Sequence, residues 1–305
     1  MGLDQEMSEL PLFPARDLSA GCEPTRTVLR LSDGYKTAVY VHHRPGPARR
    51  LGVLYVHGIQ SHPGWFVGSA AALADRGYTV FQPVRRGSGD NRIDRGDAVS
   101  AGQLLDDLET AGRFVLERTG QSRLHLLGVS WGGKLLACYA RHPRRMVNAA
   151  SLTLLAPGIV PRVDVSLKTK LAIAASMLVS PRRLFDIPLN DVKLFTDNKA
   201  FQDYLRRDPY RLHRATARFL LASRLLDRRL GRASDGELKL PTTLLLARRD
   251  RIIDNDATRR VVERLTARRA VVCWFDAAHT MGFEPEPEPI YQAIAESLDR
   301  AEKPL

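Results

Sequence analysis

The stretch that decides the fold is Gly128-Val129-Ser130-Trp131-Gly132-Gly133, which directly follows the apolar run 124–127 and precedes a helix-like segment. In this context a Gly-x-Ser-x-Gly pattern is typical of a sharp strand-to-helix turn that carries a nucleophilic serine. The turn is so tight that a Cβ on Gly128 or Gly132 is expected to clash. Ser130 then lies at a helix N-terminus, where free N–H groups favour negative charge, and we interpret it as an activated nucleophile.

Other residues must support this interpretation, because glycine-rich turns of this kind also bind phosphate. A serine hydroxyl needs a base, and the base needs an orienting carboxylate. In sheet hydrolases with this turn, the chain order is serine, acid and histidine, each after a strand. Here Asp250 follows the strand-like run 241–247, and His279 follows the run 270–275. The order predicts a catalytic triad of Ser130, His279 and Asp250.

An oxyanion site is predicted at a third strand end. The apolar run 51–56 leads into a loop with a glycine at its second position, which lets the chain fold back. We therefore expect the Ile59 and Trp131 amides to converge on a developing oxyanion, where one such donor is typically worth roughly 100- to 1000-fold in rate. Three residues are expected to support this loop: His57, Gly58 and His62.

Two alternatives concern the acidic residues and the cysteines. Asp254 competes with Asp250 for the orienting role; Asp250 is favoured because it comes first after the strand, and Asp254 is expected to cap the next helix. The aspartate spacing is not that of a calcium-binding loop, and no Cys-x-x-Cys or Cys/His spacing occurs. The sequence therefore implies no metal and no cofactor. The cysteines are scattered, as in a reducing compartment: Cys22, Cys138 and Cys273.

Taken together, these motifs resemble those of α/β-hydrolases in the monoacylglycerol lipase, lysophospholipase and serine aminopeptidase group. Residues 57–66 (HGIQSHPGWF) are similar to that group's His-Gly-x-x-x-His-x-Gly-x-Tyr oxyanion loop. Arg86-Gly87-Ser88-Gly89 matches its Arg-Gly-x-Gly turn, and Asp250-Arg251-Ile252-Ile253-Asp254 its acid loop. The resemblance covers roughly residues 25–302 and is weak between about 160 and 240. It implies acyl transfer to water through an acyl-enzyme.

Strand-like and helix-like runs alternate through most of the chain, which is typical of a mostly parallel, doubly wound α/β sheet. An antiparallel hairpin is predicted first, over 27–31 and 36–42 around the turn Ser32-Asp33-Gly34. The further predicted strands are 51–56, 78–82, 123–128, 151–156, 241–247 and 270–275. The predicted helices are 64–75, 101–119, 131–141, 256–267 and 287–301.

The alternation stops between about 158 and 240, where no strand is evident. Helical spacing occurs over 166–179 and 211–230. The resemblance implies a helical cap, or lid, inserted here between core strands 6 and 7. The predicted division is a core of residues 1–157 and 241–305 and a cap of residues 158–240. Residues 1–22 have no assignable role.

Positive charge is concentrated in this predicted cap. The chain carries a net charge of +12, and residues 161–240 hold 17 Lys and Arg against 9 Asp and Glu. One interpretation is a solvated arginine-rich helix face. Another is a cationic lid that draws anionic amphiphiles or makes peripheral contact with an anionic membrane. Nucleic-acid binding is not expected, because no recognition motif accompanies the charge.

The resulting functional prediction is a serine hydrolase that cleaves carboxylic esters of a hydrophobic acyl chain, as a carboxylesterase or a lysophospholipase-like enzyme. Its partner would be a small acyl ester, anionic or lipid-like. A serine aminopeptidase or acyltransferase of the same fold is the alternative, and a non-catalytic ligand-binding α/β-hydrolase is a second. The longest apolar run, 171–179, is about half the length needed to span a bilayer. A cytoplasmic location is the expectation.

Overall fold

The computed structural model describes residues 24–46, 50–142 and 145–302. Its strands are β1 (Thr25–Arg30), β2 (Lys36–His42), β3 (Gly52–Val56), β4 (Thr79–Pro83), β5 (Leu124–Val129), β6 (Ala149–Leu155), β7 (Leu184–Asp186), β8 (Arg214–Thr216), β9 (Thr242–Ala247) and β10 (Val271–Phe275). Its helices are α1 (Val67–Asp75), α2 (Ala101–Thr119), α3 (Trp131–Tyr139), α4 (Leu167–Val179), α5 (Lys199–Arg207), α6 (Ala217–Gly231), α7 (Asn255–Leu265) and α8 (Glu288–Glu302).

Eight of the strands form one sheet in the order β1-β2-β4-β3-β5-β6-β9-β10. The strand pairs β1–β2 and β2–β4 are antiparallel, and the pairs from β4 to β10 are parallel. Every residue of β3, β5 and β6 is buried. Covering by helices on both faces explains why these strands are nearly continuous apolar runs. The predicted α/β-hydrolase fold is confirmed.

The predicted elements of the sheet and its covering helices are close to those observed. The hairpin pairs Thr25–Arg30 with Lys36–Val41. Helix α2 has the predicted bounds: the Ser100 hydroxyl accepts the Gln103 amide at 3.1 Å, and Gly120 ends the helix at φ 65°. The predicted helix 64–75 is a short 3₁₀ turn, Pro63–Phe66, followed by α1.

The segment between β6 and β9, here called the insertion (residues 158–240), differs from the sequence prediction in three respects. Although no strand was predicted, β7 and β8 pair antiparallel with each other. Helix α5 was not predicted. Helix α6 begins at Ala217 and not near residue 211, because residues 214–216 are extended as β8 and the Thr216 hydroxyl caps the helix by accepting the Phe219 amide at 3.2 Å.

The insertion also contains the least buried helix. In α4 only Ser176 is buried, and several large apolar side chains face solvent: Leu167 (72% exposed), Leu171 (64%), Leu178 (89%) and Val179 (84%). Among the described residues, none of the helices combines the length and apolar character needed to cross a membrane. Cys138 and Cys273 are unpaired. Cys22 and residues 1–22 lie outside the described residues.

Candidate active site

Ser130 lies at the turn between β5 and α3, in a backbone conformation that side chains rarely adopt (φ 53°, ψ −123°). A Cβ on Gly128 would lie 2.8 Å from the Cα of Gly133, and one on Gly132 would lie 2.4 Å from the carbonyl oxygen of His57. Both positions therefore require glycine. The surrounding structure holds Ser130 in its strained backbone conformation. This conformation presents the serine hydroxyl at the carboxyl edge of the sheet.

Two side chains from later strand ends meet this serine. His279 Nε2 lies 2.9 Å from Ser130 Oγ, and His279 Nδ1 lies 2.7 Å from Asp250 Oδ2. The Asp250 side chain is fully buried, and its Oδ1 accepts the amides of Ile252 (2.8 Å) and Ile253 (3.0 Å). These backbone donors hold the carboxylate in place. The arrangement suits proton transfer from Ser130 to an imidazole whose tautomer is fixed by Asp250.

Asp254, the competing acid, has another role in the structure. Its side chain accepts the Ala257 amide at 2.9 Å as the N-cap of α7. The structure thus brings Asp250, and not Asp254, to His279. Within the described ranges, no group of three or more His, Cys, Asp or Glu side chains could hold a metal ion.

The loop between β3 and α1 (residues 57–62, the β3–α1 loop) packs against the serine. A Cβ on Gly58 would lie 3.3 Å from the Cβ of Ser130, so glycine allows this close approach. The Gly58 amide donates to Ser61 Oγ at 2.8 Å. Among the hydrogen bonds of the described residues, the amides of Ile59 and Trp131 donate to no protein group. Both N–H groups therefore lack an acceptor within the described part of the chain.

His57 braces this loop. Its Nε2 accepts the Arg85 amide at 3.0 Å, and its Nδ1 lies 2.9 Å from the carbonyl oxygen of Gly58. Burial, with the nearby Arg85 cation, holds the pKa of His57 well below its usual value. The ring is therefore neutral, donates through Nδ1 and has no hydrogen bond to the reacting serine. The geometry fits the predicted supporting role.

Sequence reasoning missed Arg85, which lies directly behind the loop. Its guanidinium donates to the carbonyl oxygen of Ile59 at 2.7 Å and is 5.1 Å from the centre of the Trp131 ring and 5.0 Å from that of Phe219. Burial lowers its pKa to about 9. Its neighbour Arg86 instead forms an ion pair with Asp107. Only the tertiary packing distinguishes the two arginines.

The insertion contacts His279 through Phe195. The ring of Phe195 lies edge-on to His279 with the ring centres 6.2 Å apart, and its carbonyl oxygen accepts the Thr280 amide at 2.9 Å. Val160, Leu194 and Leu220 are half-buried against the core. Phe195 therefore brings one apolar ring of the insertion to His279.

The comparisons with known proteins bear on the family and the fold. A family model described as Hydrolase_4: Serine aminopeptidase, S33, matches residues 47–286. That range contains Ser130, Asp250 and His279. No curated protein matches the sequence.

Solved structures of three hydrolases share the fold over nearly the whole chain. The monoacylglycerol lipase of Paleococcus ferrophilus is 21% identical, with a TM-score of 0.74 and coverage of 92% of this chain and 100% of the lipase. A soluble variant of Saccharomyces cerevisiae monoglyceride lipase, bound to a substrate analogue, is 17% identical, with a TM-score of 0.81 and coverage of 96% and 99%. A thermostable carboxyl esterase of Bacillus coagulans, bound to glycerol, is 13% identical, with a TM-score of 0.76 and coverage of 92% and 99%. At these identities the likeness establishes the fold alone.

Proposed function

The chain belongs to the Hydrolase_4 family of serine aminopeptidases (S33), a hydrolase family, and from this premise we propose that it hydrolyses carboxylic esters through Ser130, His279 and Asp250. One observation carries the proposal: His279 contacts Ser130 Oγ through one ring nitrogen (2.9 Å) and the buried Asp250 through the other (2.7 Å). A nucleophile, a base and an orienting acid in contact are the requirement for covalent acyl transfer.

In the acylation step, His279 Nε2 takes the Ser130 proton as Oγ attacks the ester carbonyl carbon. Asp250 keeps the proton of neutral His279 on Nδ1 and stabilises the imidazolium that forms. The negative charge of the tetrahedral intermediate is held by the Ile59 and Trp131 amides. Collapse of the intermediate breaks the C–O bond of the ester, and His279 gives its proton to the departing oxygen, which leaves as the alcohol.

In the deacylation step, a water molecule replaces the alcohol. His279 takes a proton from this water, whose oxygen attacks the acyl carbon under the same two amides. Collapse returns the proton to Ser130 Oγ and releases the carboxylic acid, so no proton is gained or lost by the enzyme. No cofactor enters either step.

The substrate class is proposed from the surroundings of His279 and from charge. The Phe195 ring of the insertion contacts His279 edge-on, and an apolar ring at this position suits an acyl chain. The net positive charge of the insertion suits an anionic or lipid-like ester by raising its local concentration. We therefore favour a carboxylesterase or a lysophospholipase-like enzyme.

A specific observation counts against the aminopeptidase alternative. A peptidase of this group needs a free carboxylate to receive the amino group of its substrate, and the candidates in the insertion are Asp203 and Glu237. Asp203 pairs with Arg206, and Glu237 pairs with Arg141. Both carboxylates already have an arginine partner, so neither is unpaired and ready to receive an amino group.

Peripheral contact with an anionic membrane is part of the proposal. The exposed apolar residues of α4 lie beside Lys168 and Lys170 on the same helix, and both lysine side chains are exposed. An apolar face with basic flanks is the pattern of helices that lie in the membrane interface. Such contact would bring the site to lipid-like esters.

The decisive test is Ser130→Ala, with Ser151→Ala as the matched control. Ser151 is a buried serine near the opposite end of the sheet, where it contacts His125. We expect Ser130→Ala to lose fluorophosphonate labelling and to lower turnover of p-nitrophenyl esters by at least about 10⁴-fold. Ser151→Ala should retain both. Near-wild-type turnover of Ser130→Ala would rule out the proposed nucleophile.

The alternatives are separated by the substrates tested in parallel. An ester panel of increasing acyl length is run beside a proline naphthylamide. Preference for the naphthylamide would indicate the aminopeptidase. Labelling of Ser130 without saturable turnover of any acyl substrate would indicate a ligand-binding protein.

A further inference from the structure

The β3–α1 loop is almost entirely buried and has contacts on both of its sides. Of residues 57–62, only Ile59 is partly exposed, and the others are buried. Ile59 is also the residue proposed to donate to the oxyanion. On its core side the loop is bound by Arg85, as described above. Its other side is contacted by four residues of the insertion, Asp208, Tyr210, Arg211 and Leu212.

The first part of this contact is made with Gln60. Its carbonyl oxygen accepts the Leu212 amide at 2.9 Å. Its side-chain Oε1 accepts both Nε (3.1 Å) and Nη2 (3.0 Å) of Arg211. Gln60 and Arg211 are 1% and 3% exposed, so these hydrogen bonds are shielded from water. Gln60 directly follows Ile59, and holding it restricts the peptide orientation of Ile59.

The second part is made with His62. Its Nδ1 accepts the Gly64 amide at 3.2 Å, so the ring proton is on Nε2, which donates to Asp208 Oδ2 at 3.0 Å. The same oxygen accepts Trp65 Nε1 at 2.7 Å, and Asp208 Oδ1 accepts the Tyr210 amide at 2.9 Å. Neither side chain of the His62–Asp208 pair is exposed.

Charge strengthens this arrangement. Burial alone would raise the pKa of Asp208, but the hydrogen bonds from His62, Trp65 and the Tyr210 amide outweigh it and lower the pKa. Asp208 is therefore an ionised acceptor, and hydrogen bonds to a charged acceptor are stronger than neutral ones. Arg211 has no carboxylate within ion-pair distance among the described residues and donates to Gln60 and to the carbonyl oxygens of Leu189 and Asn190.

We propose that Asp208 and Arg211 are positioning residues, which set the β3–α1 loop from the insertion so that the Ile59 amide faces the oxyanion. The inference rests on the proposed function, since it assigns a role within that reaction. Oxyanion donors act only when they are preorganised, and a displacement of about 1 Å can reduce the rate about 100-fold. The insertion is then a structural part of the catalytic site and not only its cover.

The test compares Asp208→Asn and Arg211→Lys with a control, Arg182→Gln. Asn cannot carry the negative charge, and Lys cannot donate two hydrogen bonds to Gln60 from one planar group. The control removes a different contact between the insertion and the core, the ion pair of Arg182 with Asp94, which does not involve the loop. Active serine is titrated with a fluorophosphonate, so that kcat is expressed per reactive site.

We expect kcat per titrated site to fall about 10- to 100-fold in Asp208→Asn and Arg211→Lys, with KM changed less than about twofold. The affinity of a trifluoromethyl ketone, which forms a tetrahedral oxyanion on the serine, should fall by a similar factor. Arg182→Gln should change kcat less than about twofold. Unchanged kcat per site in the first two variants, with only a lower melting temperature, would show a merely structural role and overturn the proposal.

A second measurement does not depend on turnover. Hydrogen exchange of peptides that cover residues 57–62 should be faster in Asp208→Asn and Arg211→Lys than in the wild type and in Arg182→Gln. Unchanged exchange overturns the proposal whether or not the protein hydrolyses esters. In contrast, if the wild-type protein neither reacts with the fluorophosphonate nor hydrolyses esters, the proposed function is contradicted. The positioning of the β3–α1 loop by Asp208 and Arg211 is not contradicted by that result.

Discussion

The core and the insertion both build the candidate site, but they do so by different physical means. Ser130, Asp250 and His279 each follow a strand of one sheet, and the hydrogen bonds between β5, β6, β9 and β10 bring those strand ends to one edge. The insertion has no such framework: its strands are three residues each, and α4 has one buried residue. It reaches the site through single side chains, above all Asp208 and Arg211.

This difference shows where precision in the site comes from. In the core, backbone pairing places the reacting groups, and side chains need only extend from the strand ends. In the insertion, burial of a few polar contacts replaces backbone pairing. Substitutions of the reacting groups in the core should therefore act on the chemical step directly, whereas those in the insertion should act through the β3–α1 loop, through membrane contact or through stability.

The largest effect in this comparison is expected for Asp250→Asn, with Asp254→Asn as its partner. The amide cannot stabilise the imidazolium and favours the wrong tautomer of His279, so kcat should fall by about 10⁴-fold. Asn also caps helices well, so Asp254→Asn should leave turnover and melting temperature nearly unchanged. Steady-state kinetics on a p-nitrophenyl ester measures both. Equal losses in the two variants would contradict the distinction between the two aspartates.

A smaller effect is expected when both sides of the β3–α1 loop are altered. Arg85→Lys weakens the hydrogen bond to the Ile59 carbonyl from the core side, and kcat should fall about 10-fold. Because Arg85 and Asp208 act on one loop, their combined effect should not be the product of the single effects. A double-mutant cycle of Arg85→Lys and Asp208→Asn measures the coupling. Strictly multiplicative effects would show that the core and the insertion act independently.

A third prediction concerns the exposed face of α4. Leu171→Glu with Leu178→Glu should reduce binding to anionic phospholipid vesicles at least about 10-fold, because apolar burial is lost and negative charge is added. Turnover of a short soluble ester should not change. Val28→Glu, at a position 52% exposed on β1, provides the control in the core. Sedimentation with vesicles measures binding, and equal loss in the control would exclude a specific role for α4.

The smallest effect is expected for the pH dependence of stability at Asp97, where the insertion joins the core. Burial alone would raise the pKa of Asp97, but hydrogen bonds from Arg218 and Thr216, with the Arg218 charge, outweigh it and lower the pKa. A lowered carboxyl pKa stabilises the fold above the unfolded pKa of about 3.9, and this stabilisation is lost as the pH falls below it.

The variant Asp97→Asn should therefore lower the melting temperature by about 2 °C at pH 7. The difference from the wild type should shrink as the pH is lowered below about 4. Thermal unfolding between pH 7 and pH 3 measures this difference. A constant difference across the range would show that ionisation of Asp97 contributes nothing to the junction.

Elements of the core could be predicted from the sequence better than those of the insertion. The strands of the sheet and helix α2 are predictable because apolar periodicity, a serine cap and a terminal glycine are local signals. The bounds of α6 are not. Residues 211–216 have helical spacing, but Arg211 and Leu212 bind Gln60, and residues 214–216 pair with β7. Contacts with residues distant in sequence override a weak local preference.

By itself, the sequence determined the hydrolase fold, the residues of the candidate triad and the tight turn at Ser130. These features depend on the order of the strands and on glycines, both of which are visible in the sequence. Only the tertiary structure decided that Arg85, Asp208 and Arg211 hold the β3–α1 loop. The physical reason is that a hydrogen bond between residues about 150 positions apart, such as Arg211 and Gln60, has no local pattern in either segment.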